Sequence, residues 1–440
     1  MSLPVRCRFF GVLAALCLAF SLSASAGEAE WKALINQVQA HAAKGDYIQA
    51  ETFARRALAE AESSFGNTHP YTAISLVLLG EALRYQGIYG EAEPFQRRAL
   101  AIFEKDRGPE HPITATSVNN LALTLASQGK YGEAETLQRR ALAIREKALG
   151  TDHPSVVASV NNLASVLRAR GAYGEAETLQ RRALAIAEKT LGPEHPETAA
   201  TLNNLAETLR AQGKYDAAES LYRRALAISE KTLGPEHSNT ALGLNNLAVV
   251  LQAQGKYDEA EPLCRRALAI WEKVLGPEHP STAIGLNSLA AVLHAQGKYG
   301  EAELLQRRAL AIAEKTLGPE HPETAATLNN LTATLRAQRK YREAEPLNRR
   351  ALAIWEKALG PEHPATATGL NSLAVVLDAQ EKYDEAEPLQ RRALAIQEKM
   401  LGARHSDTVQ SLRNLADILE KRGRNDEAEA FRRQAAETKK

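Results

Sequence analysis

The sequence predicts an all-α solenoid of about ten stacked helical hairpins, and three observations carry that reading. Nine histidines, from His69 to His405, recur every 42 residues without a slip, and a strict period of this length marks one supersecondary unit repeated many times. Inside each period apolar residues fall at three- and four-residue steps, which is a helix period. Each period is also broken twice by a turn, as at Gln128-Gly129-Lys130-Tyr131 and at Leu149-Gly150. The chain has 440 residues, too many for one ordinary core. A solenoid avoids that limit because each unit buries its apolar face only against its neighbours.

The N-terminus differs from everything after it. Arg6 and Arg8 precede an apolar run from Phe9 to Leu22, and Ala24-Ser25-Ala26 offers a small-residue cleavage site. This is the pattern of a secretory signal peptide over residues 1–26, too short for an ordinary membrane span. The expected mature chain, residues 27–440, is the repeat array, exported to a periplasmic or secreted location and free of membrane spans. An uncleaved N-terminal tether is the alternative. Cleavage leaves Cys264 as the single cysteine, so no intramolecular disulfide framework is expected. Sister units carry Gln138, Gln180 and Gln306 at its position, which reads as a half-polar site.

Each unit explains itself in order. Pro112 suits a first helical position. From Thr114 to Ser127, Val118, Leu121, Ala122 and Leu125 mark the inner face of the first helix. After the turn, a second helix buries Ala134, Leu137, Ala141, Leu142 and Ile144, and pairs Glu135 with Arg139 at i, i+4 on its surface. Gly150 suits the positive-φ residue that ends a helix. Pro94, Pro262, Pro346 and Pro388 fall near the first turn of second helices, where a proline need not break the helix. Alanines recurring on both helices let the axes approach closely.

The strings N-N-L-A-x-x-L-x-x-Q-G-K-Y-x-E-A-E and R-R-A-L-A-I-x-E-K-x-L-G-P-E-H-P resemble the 42-residue tetratricopeptide repeats of kinesin light chains. The resemblance covers nearly all of the chain after the leader. It implies a right-handed superhelix of about ten hairpins, from near Glu28 to near Ala436. The first helices would line a concave groove that binds peptide segments without catalysis. No heptad coiled coil precedes the repeats, so the motor-transport role of that family is not carried over. The first unit carries Trp31 and lacks the Asn pair, while the last has Arg413, Asp417, Lys421 and Asn425; atypical end units suit caps that face water. Residues 181–205 recur letter for letter at 307–331, a sign of block duplication.

Function then falls to the surface. Zinc needs ligands converging to about 2 Å, whereas the periodic histidines are each separated by a hairpin, so they read as structural residues bonding turn backbone. The first-helix asparagines Asn119, Asn161, Asn203, Asn245, Asn287, Asn329 and Asn371 are the stronger candidates, because an amide offers a donor and an acceptor together. They would either grip peptide backbone in the groove or bond between adjacent hairpins. One turn on, residues vary from unit to unit. Arg168, Arg210, Val249, Gln252, His294 and Arg336 are the candidate selectivity positions, in a groove that begins basic, passes through an apolar stretch and ends acidic. Trp271 and Trp355 stand where other units have Arg145, Ala187 or Ser229, and such tolerance predicts exposure. Arginine pairs such as Arg139-Arg140 read as intra-repeat ion-pair partners.

Basic and acidic residues number 54 and 53, unlike a domain built to hold a phosphate backbone, so no nucleic-acid partner is expected. No phosphate loop, H-E-x-x-H or G-x-S-x-G occurs, so neither an enzyme nor a cofactor or metal is expected. The expected partner is a protein or peptide segment. Self-association as a structural protein of the cell envelope is the second reading.

Overall fold

The computed structural model describes residues 26–437, and every regular element among them is a helix. The helices form ten hairpins. The first three are α1 (Ala26–Ala43) with α2 (Tyr47–Phe65), α3 (Pro70–Tyr85) with α4 (Tyr89–Arg107), and α5 (Pro112–Ser127) with α6 (Tyr131–Leu149). Then come α7 (Pro154–Ala169) with α8 (Tyr173–Thr190), α9 (Pro196–Ala211) with α10 (Tyr215–Leu233), and α11 (Ser238–Ala253) with α12 (Tyr257–Leu275). The last four are α13 (Pro280–Ala295) with α14 (Tyr299–Thr316), α15 (Pro322–Ala337) with α16 (Tyr341–Leu359), α17 (Pro364–Asp378) with α18 (Tyr383–Leu401), and α19 (Ser406–Lys421) with α20 (Asn425–Glu437). The expected leader falls outside the described residues apart from Ala26, which opens α1.

The turn between hairpins shows why histidine recurs. Gly192 takes a φ of +97°, a conformation that glycine adopts at no steric cost. Its carbonyl accepts both the His195 N–H at 3.3 Å and the Thr198 hydroxyl at 2.8 Å. His195 Nδ1 in turn accepts the Glu197 N–H at 3.1 Å, capping α9. All nine periodic histidines make this bond, at 3.0 to 3.2 Å. An acceptor at this position satisfies one of the donors that a helix start leaves orphaned, a stabilisation of about 1 kcal/mol per cap. The histidines are caps.

Within hairpins the second turn also relies on glycine at positive φ, such as Gly213 at +76°. Arg339 and Glu381 break the rule and hold φ of +60° and +63°. Pro94, Pro262, Pro346 and Pro388 all lie inside continuous helices.

The described chain divides into two compact units at Val166/Leu167. In the first, Trp31, Val38, Leu76, Leu79 and Phe103 belong to one buried cluster. In the second, each second helix packs on the next first helix, as α8 does on α9 and α10 on α11. Alanines such as Ala206, Ala218, Ala248 and Ala260 are fully buried at these seams.

Trp271 and Trp355 correct the sequence expectation of exposure, being only 2% and 4% exposed. Each indole lies against a glycine of the next first helix, Gly285 or Gly369. Its Nε1–H donates to the Ser238 or Pro322 carbonyl at 3.3 or 3.1 Å. Where the second helix has Ala187 or Ala313 instead, the facing residue is Thr201 or Thr327. At these four units a larger residue on one helix meets a smaller one on the other, whereas Ser229, also buried, faces Gly243. Cys264 is buried, as are Gln138, Gln180 and Gln306 at the same place in sister units, and burial pushes its thiol up to about 12.

A charged ladder ties hairpin to hairpin. Glu177 binds Arg181 of its own helix at 2.8 Å and Lys214 of the next hairpin at 2.9 Å. Hydrogen bonds from Lys214 and Arg181 hold its carboxyl at about 2, against the penalty of burial. Glu219, Glu261, Glu303 and Glu345 repeat the arrangement, each held at about 2. The second arginine of each pair does not serve its own repeat, as the sequence suggested. Arg140 reaches back to Glu104 of the preceding hairpin at 2.6 Å, and Arg350 to Glu314 at the same distance.

Candidate functional site

The first helices carry the candidate site on the face turned away from their hairpin partners. The caps fix where each first helix starts, so equivalent residues of successive hairpins stand in register 42 positions apart. Along α9 the open line passes through Ala200, Asn204, Glu207 and Ala211, all exposed or half-buried, while Leu202, Leu205, Ala206 and Leu209 are buried.

The candidate asparagines sit beside this line, closer to the core. Asn119, Asn161 and Asn245 are buried, whereas Asn203, Asn287, Asn329 and Asn371 are half-buried. At two places their side-chain carbonyls accept from the next hairpin. Asn119 Oδ1 accepts from Asn162 Nδ2 at 2.7 Å, and Asn371 Oδ1 accepts from Asn414 Nδ2 at 2.7 Å and from Gln390 Nε2 at 3.0 Å. Between these rungs the carbonyls of Asn161, Asn203, Asn245, Asn287 and Asn329 are buried without a hydrogen-bond partner. Asn287 uses its amide hydrogen on Thr327 Oγ1 at 3.4 Å. The following residue is the more open one at three pairs: Asn162 and Asn246 are half-buried beside buried Asn161 and Asn245, and Asn330 is exposed beside half-buried Asn329. Asn204 is half-buried like Asn203, and Asn120 is buried like Asn119. The doubled asparagine in the sequence was the signal for this second row. The sequence reading named the first member of each pair, the Asn119 series, for the groove.

The variable positions are placed one turn on. Arg168 is paired with Glu207 at 2.9 Å, and both side chains are mostly covered. Arg210 is half-buried near the buried Tyr222, whose hydroxyl is pushed up first by burial and then by Glu207. Val249 and Gln252 are half-buried on α11. His294 Nδ1 lies 3.1 Å from Thr334 Oγ1 of the next first helix, and its ring meets Tyr299 edge-on at 5.1 Å. Burial and then the Arg336 charge lower the His294 pKa. Arg336 itself is exposed.

The expected run from basic to acidic does not survive as free charge. Glu207 neutralises Arg168, Lys421 holds Asp378 at 2.6 Å, and Arg432 binds both Asp417 and Glu420. The sequence could not show this, because each pairing joins side chains from different helices. In the first unit the same face holds Glu81, which burial pushes up to about 7 while Arg84 opposes the shift.

The arrangement offers amides, small apolar side chains and a few cations along a repeated edge. Among the described residues no cluster of His, Cys, Asp and Glu could hold a metal ion, and no helix is long and apolar enough to cross a membrane.

The tetratricopeptide repeat profile matches residues 32–105, 155–231, 239–315, 286–357, 333–399 and 373–440, and a second tetratricopeptide repeat profile matches residues 114–155. Among curated proteins none matches the chain. A Podosopora anserina protein of nearly identical TPR-like repeats, assigned to the kinesin light chains, is 33% identical with a TM-score of 0.40, over 47% of this chain and 98% of that one. BtubC from P. vanneervenii is 23% identical with a TM-score of 0.42, over 52% of this chain and 89% of that one. A Rap protein complexed with Competence and Sporulation Factor is 14% identical with a TM-score of 0.52, over 94% of this chain and 97% of that one. With the repeat profile covering well over half of its length, the chain belongs to the tetratricopeptide repeat family.

Proposed function

We propose that this protein is a non-catalytic scaffold that binds a protein or peptide segment along its first-helix face. One observation carries the reading. A row of asparagine amides repeats faithfully beside positions that change chemistry from hairpin to hairpin. Faithful amides suit contacts to peptide backbone, which is the same in every ligand, and the changing positions suit side-chain selection. Asn204, Asn246 and Asn330 would meet the ligand directly. The series Asn119, Asn161, Asn203, Asn245, Asn287, Asn329 and Asn371 would form the wall behind them and reach the ligand where half-buried. Arg168, Arg210, Val249, Gln252, His294 and Arg336 would set the choice among ligands. A Rap protein of this fold holds a bound factor, so a hairpin array can play this part.

The N-terminal pattern supports export of the mature array to the periplasm or beyond. Peptides selected from a random library on the mature chain test the binding claim. The reading requires that Asn204→Ala/Asn246→Ala/Asn330→Ala lose the selected peptides while keeping the parent's helical signal and melting. Undiminished capture by that variant would refute it.

A further inference from the structure

Two turns far apart in sequence meet inside the second unit. The Tyr173 hydroxyl, at the start of α8, lies 3.3 Å from His405 Nε2, at the cap of α19, across 232 residues. A Cβ added at Gly171 would sit 4.0 Å from both His405 Cδ2 and the Leu401 carbonyl oxygen, so the two turns run close together. The direction of the hydrogen bond follows from the cap. His405 Nδ1 accepts the Asp407 N–H at 3.2 Å, so the neutral ring carries its hydrogen on Nε2 and donates it to Tyr173 Oη. Burial and the neighbouring Asp407 charge raise the Tyr173 hydroxyl's pKa, consistent with that carboxylate's proximity.

The sequence departs from the repeat at both turns. Hairpins 3, 5, 6 and 7 read Gln-Gly-Lys-Tyr at the first of them, and hairpin 4 reads Arg170-Gly171-Ala172-Tyr173. The lysine that reaches back to the preceding hairpin elsewhere, as Lys214 does to Glu177, is therefore missing where the contact forms. At the other turn, Ala403 and Arg404 replace the Pro-Glu that stands before His195, His237, His279, His321 and His363. Other turns depart at these positions too, with Ile88 in place of the lysine and Asn67-Thr68 or Thr151-Asp152 in place of Pro-Glu, so the contact rests on the Tyr173–His405 geometry.

We propose that the α7–α8 and α18–α19 turns form a latch that holds the second unit, residues 167–440, closed on itself and gates access to its first-helix face. The gating half rests on the groove reading above; the latch itself does not. A single neutral hydrogen bond between two turns exchanges readily, so the array opens without unfolding any hairpin.

Spin labels at Thr178→Cys and Gln410→Cys, both exposed and one helical turn beyond the contact, report its closure in the full chain once Cys7, Cys17 and Cys264 are replaced. Pulsed dipolar spectroscopy should give one narrow, short distance. Tyr173→Phe, which loses only the hydroxyl, should broaden it toward longer values. His405→Asn, which keeps a cap acceptor but cannot reach Tyr173, should do the same. A broad or long distance in the parent would overturn the latch, and so would a short one that neither substitution moves. The readout needs no ligand, so its outcome is independent of peptide capture.

Discussion

Trp271 and Gly285 are a matched pair. A Cβ placed on Gly285 would stand 2.9 Å from Trp271 Cε3, so the indole fills space that only a glycine leaves open. Truncation by Trp271→Ala should cost about 3–5 kcal/mol, the usual range for an emptied large aromatic site. Adding Gly285→Thr rebuilds the combination seen at Ala187 and Thr201 and should recover part of that loss. Urea unfolding of the two variants and the parent measures both steps, and a double variant no better than the single one would argue against matched volumes.

Arg339 and Glu381 hold positive φ where the other hairpins have glycine. A side chain in that conformation costs about 1–2 kcal/mol, partly offset because glycine loses more freedom on folding. Arg339→Gly and Glu381→Gly should therefore each stabilise the fold by about 0.5–1 kcal/mol. Thermal unfolding should register both as rises in Tm.

The histidine caps separate shape from side-chain identity. His195→Asn keeps an acceptor for the Glu197 N–H and should be close to neutral. His195→Ala removes it and should cost about 1 kcal/mol. The same pair of substitutions at His279 should give a similar difference, and the costs at the two sites should add, because separated sites behave independently.

Acid should weaken the array through its glutamate ladder. Glu177, Glu219, Glu261, Glu303 and Glu345 titrate at about 2 when folded, below their ordinary 4.5. A lowered carboxylate contributes stability that is present above 4.5 and lost as pH falls through about 2. His69, also lowered, by burial, acts in the same direction below its ordinary 6.5. Glu81 is the opposite case: its carboxyl is raised to about 7, so its contribution is full below 4.5 and lost as pH rises through 7. Glu81→Gln should flatten the pH dependence of stability between 4.5 and 7, measured by urea unfolding at a series of pH values.

Much of this was legible in the sequence because the physics is local. A cap, a positive-φ glycine and an i, i+4 ion pair each depend on a few consecutive residues, so His195, Gly192 and Arg139 reveal their roles in one line of text. What escaped depends on packing between hairpins. Trp271 looked like a tolerant surface position until Gly285 was seen beneath it. Arg140 looked like a partner for its own helix but bonds to Glu104 of the hairpin before. The candidate face was legible as a helix face, and the greater openness of Asn162, Asn246 and Asn330 beside their neighbours was not, because adjacent residues differ by only about 100° around an α-helix.

The central claim is that the first-helix asparagines hold a peptide. Titrating one library-selected peptide into the parent and into Asn204→Ala/Asn246→Ala/Asn330→Ala, by calorimetry at fixed salt, tests it most directly. Loss of three hydrogen bonds at about 0.5–1.5 kcal/mol each predicts an affinity at least about tenfold weaker, with the unfolding transition in place. Equal affinity in the two proteins would contradict it.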